Sequence, residues 1–301
     1  MKLSNNAVTT VLHDKNLKYL KYFEKNLKSN KKINFDIFVF CHGAKKKNKN
    51  YKNFTFIYLK QSLSIVEVRK YILNFLIKEN YKKVIFTDLE DFFKFNRVEK
   101  TFKYLDKYDI VFNNINLLKN EKIVKKNILN NSISKIDNLN YLNIVNSNFL
   151  GFCNSGLKVK LLSNIVIPKN IIAVDWWIFT LILMKKRKVK FLKNISTNYR
   201  LDEANILGIS KKMSKKKLKL LIDIKLKHFL NLVKFCKKPP FKSQKEIYLQ
   251  HYKNLKKLRL LSKNSQFNKF IVREINKKKY NFSKGWFNEL PSIDFKTNEI
   301  L

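Results

Sequence analysis

The stretch Tyr81-Lys-Lys-Val-Ile-Phe-Thr-Asp-Leu-Glu-Asp-Phe-Phe93 decides how the rest of the chain is interpreted. Its β-branched and aromatic run from Val84 to Phe86 is typical of a buried strand. The run is followed directly by three carboxylates, Asp88, Glu90 and Asp91. We therefore expect a central strand of the sheet that carries acidic side chains at its carboxyl end.

These carboxylates have two interpretations. In open α/β sheets, ligands bind beyond the carboxyl ends of the strands, and hard oxygen ligands at alternate positions can share one Mg²⁺ or Mn²⁺ with a substrate diphosphate. Alternatively, the acids cap the following turn, because Asp-rich turns after strands are common. The local pattern alone leaves both interpretations open.

Length and cysteine usage limit the class of protein. With 301 residues the chain can bury a full core, so we expect one large domain, or one domain with an appendage. Cys41, Cys153 and Cys236 lie far apart without metal-ligand spacing, which indicates a reducing compartment without disulfides. The N-terminus has no apolar signal segment, and the later apolar run from Ile171 to Met184 is too short to cross a bilayer. These features predict a soluble, cytoplasmic protein.

The formal net charge of +42 would ordinarily indicate nucleic acid or an anionic membrane as a partner. However, lysine greatly outnumbers arginine, asparagine and isoleucine are abundant, and glycine and proline are scarce. A/T-rich codons supply this composition, so much of the charge can lie on solvated faces without a function. Nucleic acid is therefore not the partner that we expect.

Strands and helices alternate in the first half of the chain. Besides the Val84 segment, strands are predicted at Ala7–Leu12, Ile33–Phe40, Phe54–Leu59 and Asp109–Phe112. Ser64 precedes Glu67 by three residues, the spacing of a capping box at a helix start, and Asn96 with Glu99 repeats it. The alternation predicts an α/β fold with a mostly parallel sheet covered by helices on both faces.

The region after residue 113 is less regular, and residues 114–147 give no firm prediction. Asn148–Gly156 holds two of the five glycines and predicts a loop, with a helix from Leu157 to Leu162 behind it. An apolar helix is predicted from Ala173 to Met184, and a strand from Val189 to Leu192.

The composition changes at residue 211. Between Lys211 and Lys242 there are twelve lysines against one acid, Asp223, and the periodicity is helical without strands. Two further helices are predicted at Glu246–Leu261 and Phe267–Lys277. We therefore predict two parts, residues 1–210 and a basic helical C-terminal region of residues 211–301.

The first C-terminal helix has two kinds of residue at helical spacing. Its apolar residues predict a docking stripe: Leu218, Leu221, Ile222, Leu226, Phe229, Leu230 and Val233. Its lysines remain for solvent or for anionic lipid headgroups: Lys212, Lys215, Lys216, Lys219 and Lys227. Peripheral contact with the inner membrane face and a merely solvated basic face are both consistent with this pattern.

The order of these elements resembles a known family. It is similar to the order found in the inverting GT-A glycosyltransferases of the family 2 kind: strand, helix, strand, polar loop, strand, a helix with Arg69 and a strand that ends in acids. Val68-Arg69-Lys70 resembles the Ala-Arg-Asn signature that this family often carries before its acidic motif. Asp88-Leu-Glu90-Asp91 stands where the family usually has Asp-x-Asp-Asp, with Glu in place of the second Asp.

A second motif follows about 85 residues later. Asp175-Trp176-Trp177 and then Tyr199-Arg200-Leu-Asp202-Glu-Ala-Asn205-Ile-Leu-Gly208 resemble the Asp-Trp-Trp and Tyr-Arg-x-His-x-x-Asn-x-x-Gly patterns of bacterial members that transfer deoxysugars. Asp202 replaces the His of that pattern. Cys41-His42-Gly43 also departs from the Asp-Asp-Gly with which many relatives recognise the nucleotide base. The resemblance covers roughly residues 6–210.

The resemblance implies roles for individual residues. In the family's reaction an acceptor hydroxyl attacks the anomeric carbon of a nucleotide sugar and a nucleoside diphosphate leaves, which requires a base and a cation. The implied ligands of Mg²⁺ or Mn²⁺ are Asp88, Glu90, Asp91 and Asp202. The implied donor-binding residues are Thr10, Arg69, Asp88, Tyr199 and Arg200.

Asp175 is the implied catalytic base. Spacing alone favours a different role, the N-cap of a helix that begins at Trp176, and the Asp-Trp-Trp match reverses this preference in favour of the base. Of the two tryptophans, one is expected to pack inward while the other stacks on a sugar ring, or both pack in the core.

The resemblance therefore implies a nucleotide-sugar-dependent hexosyl- or deoxyhexosyltransferase of polysaccharide biosynthesis. Its expected partners are a nucleotide-sugar donor and a surface-glycan or lipid-linked acceptor. The rival hypothesis is a binding protein, either a degenerate GT-A-like fold or a basic module for RNA or membrane. The Asp175 motif favours the enzyme, whereas Glu90 and Asp202 favour the rival.

Overall fold

The computed structural model describes residues 4–28, 33–44, 51, 53–93, 96–133, 138–201, 213–277, 286–287 and 290, with the backbone of 293–294 and 299–300. The strands among these residues are β1 (Asn6–Leu12), β2 (Asp36–His42), β3 (Thr55–Leu59), β4 (Lys83–Phe86), β5 (Phe92–Phe93), β6 (Ile110–Lys119), β7 (Lys122–Lys125), β8 (Ser155–Lys158), β9 (Val189–Arg200), β10 (Ile293–Asp294) and β11 (Glu299–Ile300). The helices are α1 (Leu20–Lys28), α2 (Ile65–Lys78), α3 (Arg97–Leu105), α4 (Asn130–Ile133), α5 (Val174–Leu183), α6 (Lys215–Phe235), α7 (Lys245–Leu261) and α8 (Ser265–Lys277).

One sheet has the strand order β3-β2-β1-β4-β8-β6-β9-β5, with β7 paired to β6, while β10 and β11 form a separate antiparallel pair. The pairs β3–β2, β2–β1, β1–β4 and β6–β9 are parallel. Strand β8 is antiparallel to both β4 and β6, so β6 and β9 run in the direction of β1 to β4. The predicted α/β fold with a mostly parallel sheet is confirmed.

Strand β4 lies in the middle of the sheet, as the opening stretch predicts. Its side chains alternate between two hydrophobic cores. Val84 and Phe86 face a core built with α2, α5 and α6, whereas Ile85 faces a core built with α1 and α3. All three side chains are at most 2% exposed, and burying each one contributes about 1.5–3 kcal/mol. This double burial fixes the point at which the acids leave the sheet.

One of the two predicted capping boxes forms. The Ser64 hydroxyl accepts a hydrogen bond from the Glu67 N–H at 3.3 Å, and the Glu67 carboxylate accepts from the Ser64 N–H at 2.8 Å. Asn96 does stand before α3, but its backbone lies at φ −86° and ψ 5° instead of the extended region, and its side chain makes no cap hydrogen bond. The helix start was predicted correctly there, and the capping box was wrong.

The predicted helix from Leu157 to Leu162 is also wrong. Residues 155–158 form β8 between β4 and β6, and only a single 3₁₀ turn, Val159–Leu161, follows. Gly156 permits this, because a Cβ there would lie 2.8 Å from Thr101 Cγ2 and 2.9 Å from the Val84 carbonyl oxygen. Close backbone approach of this kind is a typical use of glycine inside a strand.

Two strands extend beyond their predicted ends. Strand β6 continues to Lys119, inside the region that gave no prediction. Strand β9 continues to Arg200 and stays parallel to β6 with a register shift near Asn114, so that Tyr199 lies beside Leu117. The longer β9 brings Tyr199 and Arg200 to the edge of the acidic loop, where β5 pairs with β9.

The three helices predicted after residue 211 are present as α6, α7 and α8. The predicted apolar stripe of α6 is buried except for half-buried Leu230, and Lys215, Lys216, Lys219 and Lys227 are exposed, while Lys212 lies outside the described residues. The described residues before and after position 211 share one hydrophobic core, and Trp176 stacks on His228 of α6 with ring centroids 4.0 Å apart. The two-part division remains a prediction. Among the described helices, none combines the length and the apolar character needed to span a membrane.

Candidate functional site

A cleft of about 320 Å³ opens where β1 and β4 end and α5 begins. It lies at the carboxyl ends of parallel strands, where α/β sheets bind ligands. Its polar lining residues come from five parts of the chain: His13, Lys15, Asn16, Arg69, Asp88, Glu90, Asp175 and Tyr199. Its apolar wall includes Gly151, Phe152, Ile172, Val174, Trp286 and Phe287.

Arg69 and Asp88 form an ion pair at the edge of this cleft. Arg69 Nη2 lies 3.7 Å from Asp88 Oδ1, and the two side chains are 20% and 32% exposed. The Arg69 guanidinium also stacks over the Phe152 ring at 4.8 Å, which fixes its plane. A planar, fixed guanidinium can bind a phosphate through two parallel hydrogen bonds.

Glu90 lies beside Asp88 and accepts a hydrogen bond from Asn16 Nδ2 at 2.9 Å. Burial, and then the negative charge of Asp88, raise the pKa of Glu90 to about 7. Two carboxylates that disfavour each other's ionisation are stabilised together when a cation binds between them.

Asp91 lies deeper and is only 3% exposed. Its Oδ1 accepts the backbone N–H of Arg200 at 2.9 Å, and its Oδ2 is buried without a hydrogen-bond partner among the described residues. Ligand atoms of Asp88, Asp91 and Cys153 lie within 4.8 Å of one another. Burial and the neighbouring acids raise the pKa of the Asp91 carboxyl well above its usual range.

A buried arginine that sequence reasoning missed accompanies these acids. Arg97 is 1% exposed, donates from Nη2 to the Phe86 carbonyl oxygen at 3.0 Å and stacks over the Phe93 ring at 5.0 Å. Burial lowers its pKa to about 10, so it stays positive at neutral pH and partly offsets the charge of Asp91 and Asp88. The available signal was its rarity, since the chain has only six arginines.

Mg²⁺ or Mn²⁺ fits this cluster. Both metals prefer hard oxygen ligands, and the Asp88 and Glu90 carboxylates line the cleft, with the orphaned Oδ2 of Asp91 close to Asp88. Cys153 is a soft donor, and burial raises the pKa of its thiol well above the usual range, so it does not suit these ions. Asp202, the fourth predicted ligand, lies outside the described residues.

Asp175 occupies the second position of α5, whose N-cap is Ala173. It is therefore not the N-cap residue, although its Oδ1 accepts the Trp176 N–H at 2.8 Å. Burial raises the pKa of Asp175 to about 6, while the Trp176 N–H and the positive charge of Arg69 act in the opposite direction. An acid of this pKa is ionised at neutral pH and is still basic enough to accept a proton.

Both neighbouring tryptophans pack in the core. Trp176 and Trp177 are 0% and 2% exposed, and their indole N–H groups donate to the carbonyl oxygens of Ile144 at 2.7 Å and Val166 at 3.0 Å. The core alternative therefore holds for both, and neither ring is available to a sugar.

The other implied donor-binding residues divide into two groups. Tyr199 lines the cleft together with Arg69 and Asp88. Thr10 is 1% exposed inside β1 and does not line it. Arg200 also lies outside the lining, where its guanidinium pairs with Glu121 and stacks over Tyr19 at 4.7 Å.

No protein-family model and no curated protein sequence matches this chain. S. aureus TarS 1–349 in complex with UDP-GlcNAc matches with a TM-score of 0.56 and 16% identity, over 85% of this chain and 72% of that chain. The mannosyltransferase PcManGT from Pyrobaculum calidifontis, in complex with GDP-Man and Mn²⁺, matches with a TM-score of 0.56 and 10% identity, over 95% of this chain and 83% of that chain.

The chain shares their fold. The resemblance to GT-A glycosyltransferases is thus confirmed for the architecture. At these identities the comparison carries no residue assignment, so the roles within the cleft depend on its own geometry.

Proposed function

We propose that this protein is a glycosyltransferase that moves a sugar from a nucleotide-sugar donor to a hydroxyl of a surface-glycan or lipid-linked acceptor, with inversion at the anomeric carbon. The observation that carries the proposal is the convergence of Arg69, Asp88, Glu90 and Asp175 on one cleft. These residues are up to 106 positions apart in sequence, and they supply a phosphate ligand, a cation site and a base. The nucleotide sugars bound by S. aureus TarS and by PcManGT support the same donor class.

The proposed chemistry assigns one task to each group. The acceptor oxygen attacks the anomeric carbon while the bond from that carbon to the diphosphate oxygen breaks, and the electron pair leaves with the diphosphate. The Asp175 carboxylate takes the proton of the attacking hydroxyl. Arg69 binds the diphosphate as a planar fork. A Mg²⁺ or Mn²⁺ held by Asp88 and Glu90 would neutralise the charge that develops on the leaving group.

A nucleotide-sugar screen tests this proposal. UDP-, GDP-, dTDP- and CMP-sugars are titrated calorimetrically into the protein with and without Mn²⁺. For those that bind, release of the nucleotide is followed, which is CMP for a CMP-sugar and a nucleoside diphosphate for the others. The proposal expects Mn²⁺-dependent binding of one donor class and turnover. Binding without turnover in the presence of acceptor extracts would favour the degenerate, binding-only alternative, and no binding at all would reject the donor class.

The pH dependence of turnover is expected to have an acidic limb near pH 6. Asp175 acts as a base only when ionised, and its pKa is raised to about 6, so the ionised form is present above that pH and is lost as the pH falls through it. The limb is measured as the rate of nucleoside diphosphate release at saturating donor, from about pH 4.5 to about pH 8, so that the range extends roughly two units either side of the pKa of Asp175. A rate that stays constant through pH 5 would argue against a carboxylate base of this pKa.

We further propose that α6 places the protein against the membrane that carries a lipid-linked acceptor. Its apolar stripe is buried in the core, so Lys215, Lys216, Lys219 and Lys227 are free to face outward. Each lysine near an anionic surface contributes roughly 1 kcal/mol, so four of them would give salt-sensitive association.

Co-sedimentation with anionic vesicles at low salt tests this orientation. Replacing the four lysines of α6 with glutamine is expected to abolish most of the binding. A matched variant replaces four exposed lysines of α1 and α3, helices that cover the opposite face of the sheet: Lys21, Lys25, Lys100 and Lys103. Equal loss in both variants would mean that net charge alone is responsible, and unchanged binding in the α6 variant would remove the membrane role.

A further inference from the structure

One wall of the cleft comes from the far end of the chain. Trp286 and Phe287 lie in the region whose composition predicts a basic appendage, yet both line the cleft beside Tyr199 and Asp175. Neither side chain has a role in the sugar-transfer chemistry proposed above. Both side chains are nearly buried, at 7% and 4% exposed, so they belong to the body of the protein.

Backbone hydrogen bonds fix Trp286 against the loop that precedes β8. Its N–H donates to the Asn148 carbonyl oxygen at 2.6 Å, and the Asn148 N–H donates back to the Trp286 carbonyl oxygen at 2.9 Å. Buried Lys225 of α6 links the two segments that carry Asn148 and Trp286. Its Nζ donates to the carbonyl oxygens of Asn146 at 2.8 Å and Leu290 at 3.0 Å. The aromatic wall is thus anchored on two sides.

The indole ring occupies a space that a glycine leaves open. A Cβ at Gly151 would lie 2.8 Å from Trp286 Cη2 and 2.9 Å from Cζ3. The indole ring also contacts the Tyr199 ring in an edge-to-face arrangement, with ring centroids 5.5 Å apart. Gly151 and Tyr199 therefore set the position of the ring within the cleft.

Phe287 has an unusual backbone conformation next to this ring. Its φ is +67°, in the left-handed region that bulky residues rarely adopt. Its ring stacks on Trp176, the neighbour of Asp175, with centroids 4.9 Å apart and planes 13° apart. Strained backbone that surrounding contacts hold in place is found preferentially at ligand sites.

We infer that Trp286 contacts the transferred sugar of the nucleotide-sugar donor, and this inference rests on the proposed function. A donor whose diphosphate lies at Arg69 and Asp88 must present its anomeric carbon to a hydroxyl beside Asp175. The sugar ring then lies between these groups, along the wall formed by Gly151, Tyr199 and Trp286. Aromatic rings suit this position because the C–H face of a pyranose is apolar and its hydroxyls remain for polar groups.

The inference separates the sugar from the nucleotide, so paired ligands test it. Wild-type protein and Trp286→Ala are titrated calorimetrically with UDP and UDP-GlcNAc, and with GDP and GDP-Man, in the presence of Mn²⁺. We expect Trp286→Ala to weaken nucleotide-sugar binding about tenfold while nucleoside diphosphate binding is unchanged. Trp286→Phe keeps a flat ring and is expected to recover most of the loss.

Two further variants keep the test decisive if Trp286→Ala does not fold. Gly151→Ala forces the indole to move and is expected to weaken sugar-nucleotide binding selectively. Trp177→Phe changes a buried tryptophan outside the cleft and is expected to weaken neither ligand. Equal loss for both ligands of a pair, or no loss in Trp286→Ala and Gly151→Ala, would overturn the inference and leave the proposed function standing. If the wild-type protein binds none of the four ligands, the same comparison is made with the donor that binds in the nucleotide-sugar screen and its sugar-free nucleotide. Absence of any such donor would reject the proposed function, and this inference with it.

Discussion

Replacing Asp175 with asparagine is expected to leave donor binding intact and to slow sugar transfer by about two to four orders of magnitude, the usual contribution of a general base. The physical reason is that the amide cannot take the proton of the attacking hydroxyl. The substitution preserves the local structure, because an amide oxygen can accept the Trp176 N–H in place of Asp175 Oδ1. Burial disfavours the charged form of Asp175 and raises its pKa to about 6, so replacing the carboxyl with a neutral amide adds no desolvation cost to folding.

The measurement combines calorimetric titration of the donor with the rate of nucleoside diphosphate release. Asp223→Asn serves as a matched control, because Asp223 lies on α6, where its carboxylate is 3.6 Å from Arg259, and it does not line the cleft. The control variant is expected to match the parent protein in both measurements. If Asp175→Asn retains near-parental turnover, then the carboxylate only stabilises the first turn of α5, and another group must act as the base.

Local sequence signals predicted the parts of the fold that depend on neighbouring residues. The Ser64–Glu67 capping box and strand β4 were correct, because three-residue spacing and a compact apolar run determine them. The helix predicted from Leu157 to Leu162 failed because β8 exists only through its contacts with β4 and β6, and Gly156 allows that approach. The sequence around Gly156 does not reveal which backbone this glycine will approach.

The candidate site divides in the same way. Asp88, Glu90 and Asp175 belong to recognisable motifs and line one cleft, while their roles there remain predictions. Arg97 and Trp286 carry no motif. Arg97 is held by the Phe86 carbonyl oxygen at the end of β4, and Trp286 by backbone hydrogen bonds to Asn148, far back in the chain. Sequence reasoning found the residues with characteristic chemistry and missed those that surround them.

Replacing Asp88 with asparagine is expected to remove the Mn²⁺-dependent part of nucleotide affinity. Loss of a residue that only hydrogen-bonds to a metal ligand weakens metal binding by about 10- to 100-fold. Loss of the ligand itself should therefore weaken Mn²⁺ binding at least about a hundredfold. Glu90→Gln is expected to act in the same direction. The fold should remain intact, because Asp88 is 32% exposed at the end of β4 and its ion pair with Arg69 spans 3.7 Å.

The measurement is the dissociation constant of the nucleoside diphosphate in titrations with and without Mn²⁺. Asp106→Asn is the matched control, since Asp106 is 65% exposed, pairs with Lys83 and does not line the cleft. We expect this control to keep the full effect of Mn²⁺.

The metal-free titration separates a metal ligand from a counter-ion. Asp88 pairs with Arg69, so its neutralisation frees the guanidinium and removes a negative charge from the site of the diphosphate. Nucleotide binding without Mn²⁺ should therefore stay constant or become tighter in Asp88→Asn, while the increase produced by Mn²⁺ disappears. If Asp88 serves only to orient Arg69, Mn²⁺ will strengthen binding equally in the variant and the parent, and that result would exclude Asp88 from the metal site.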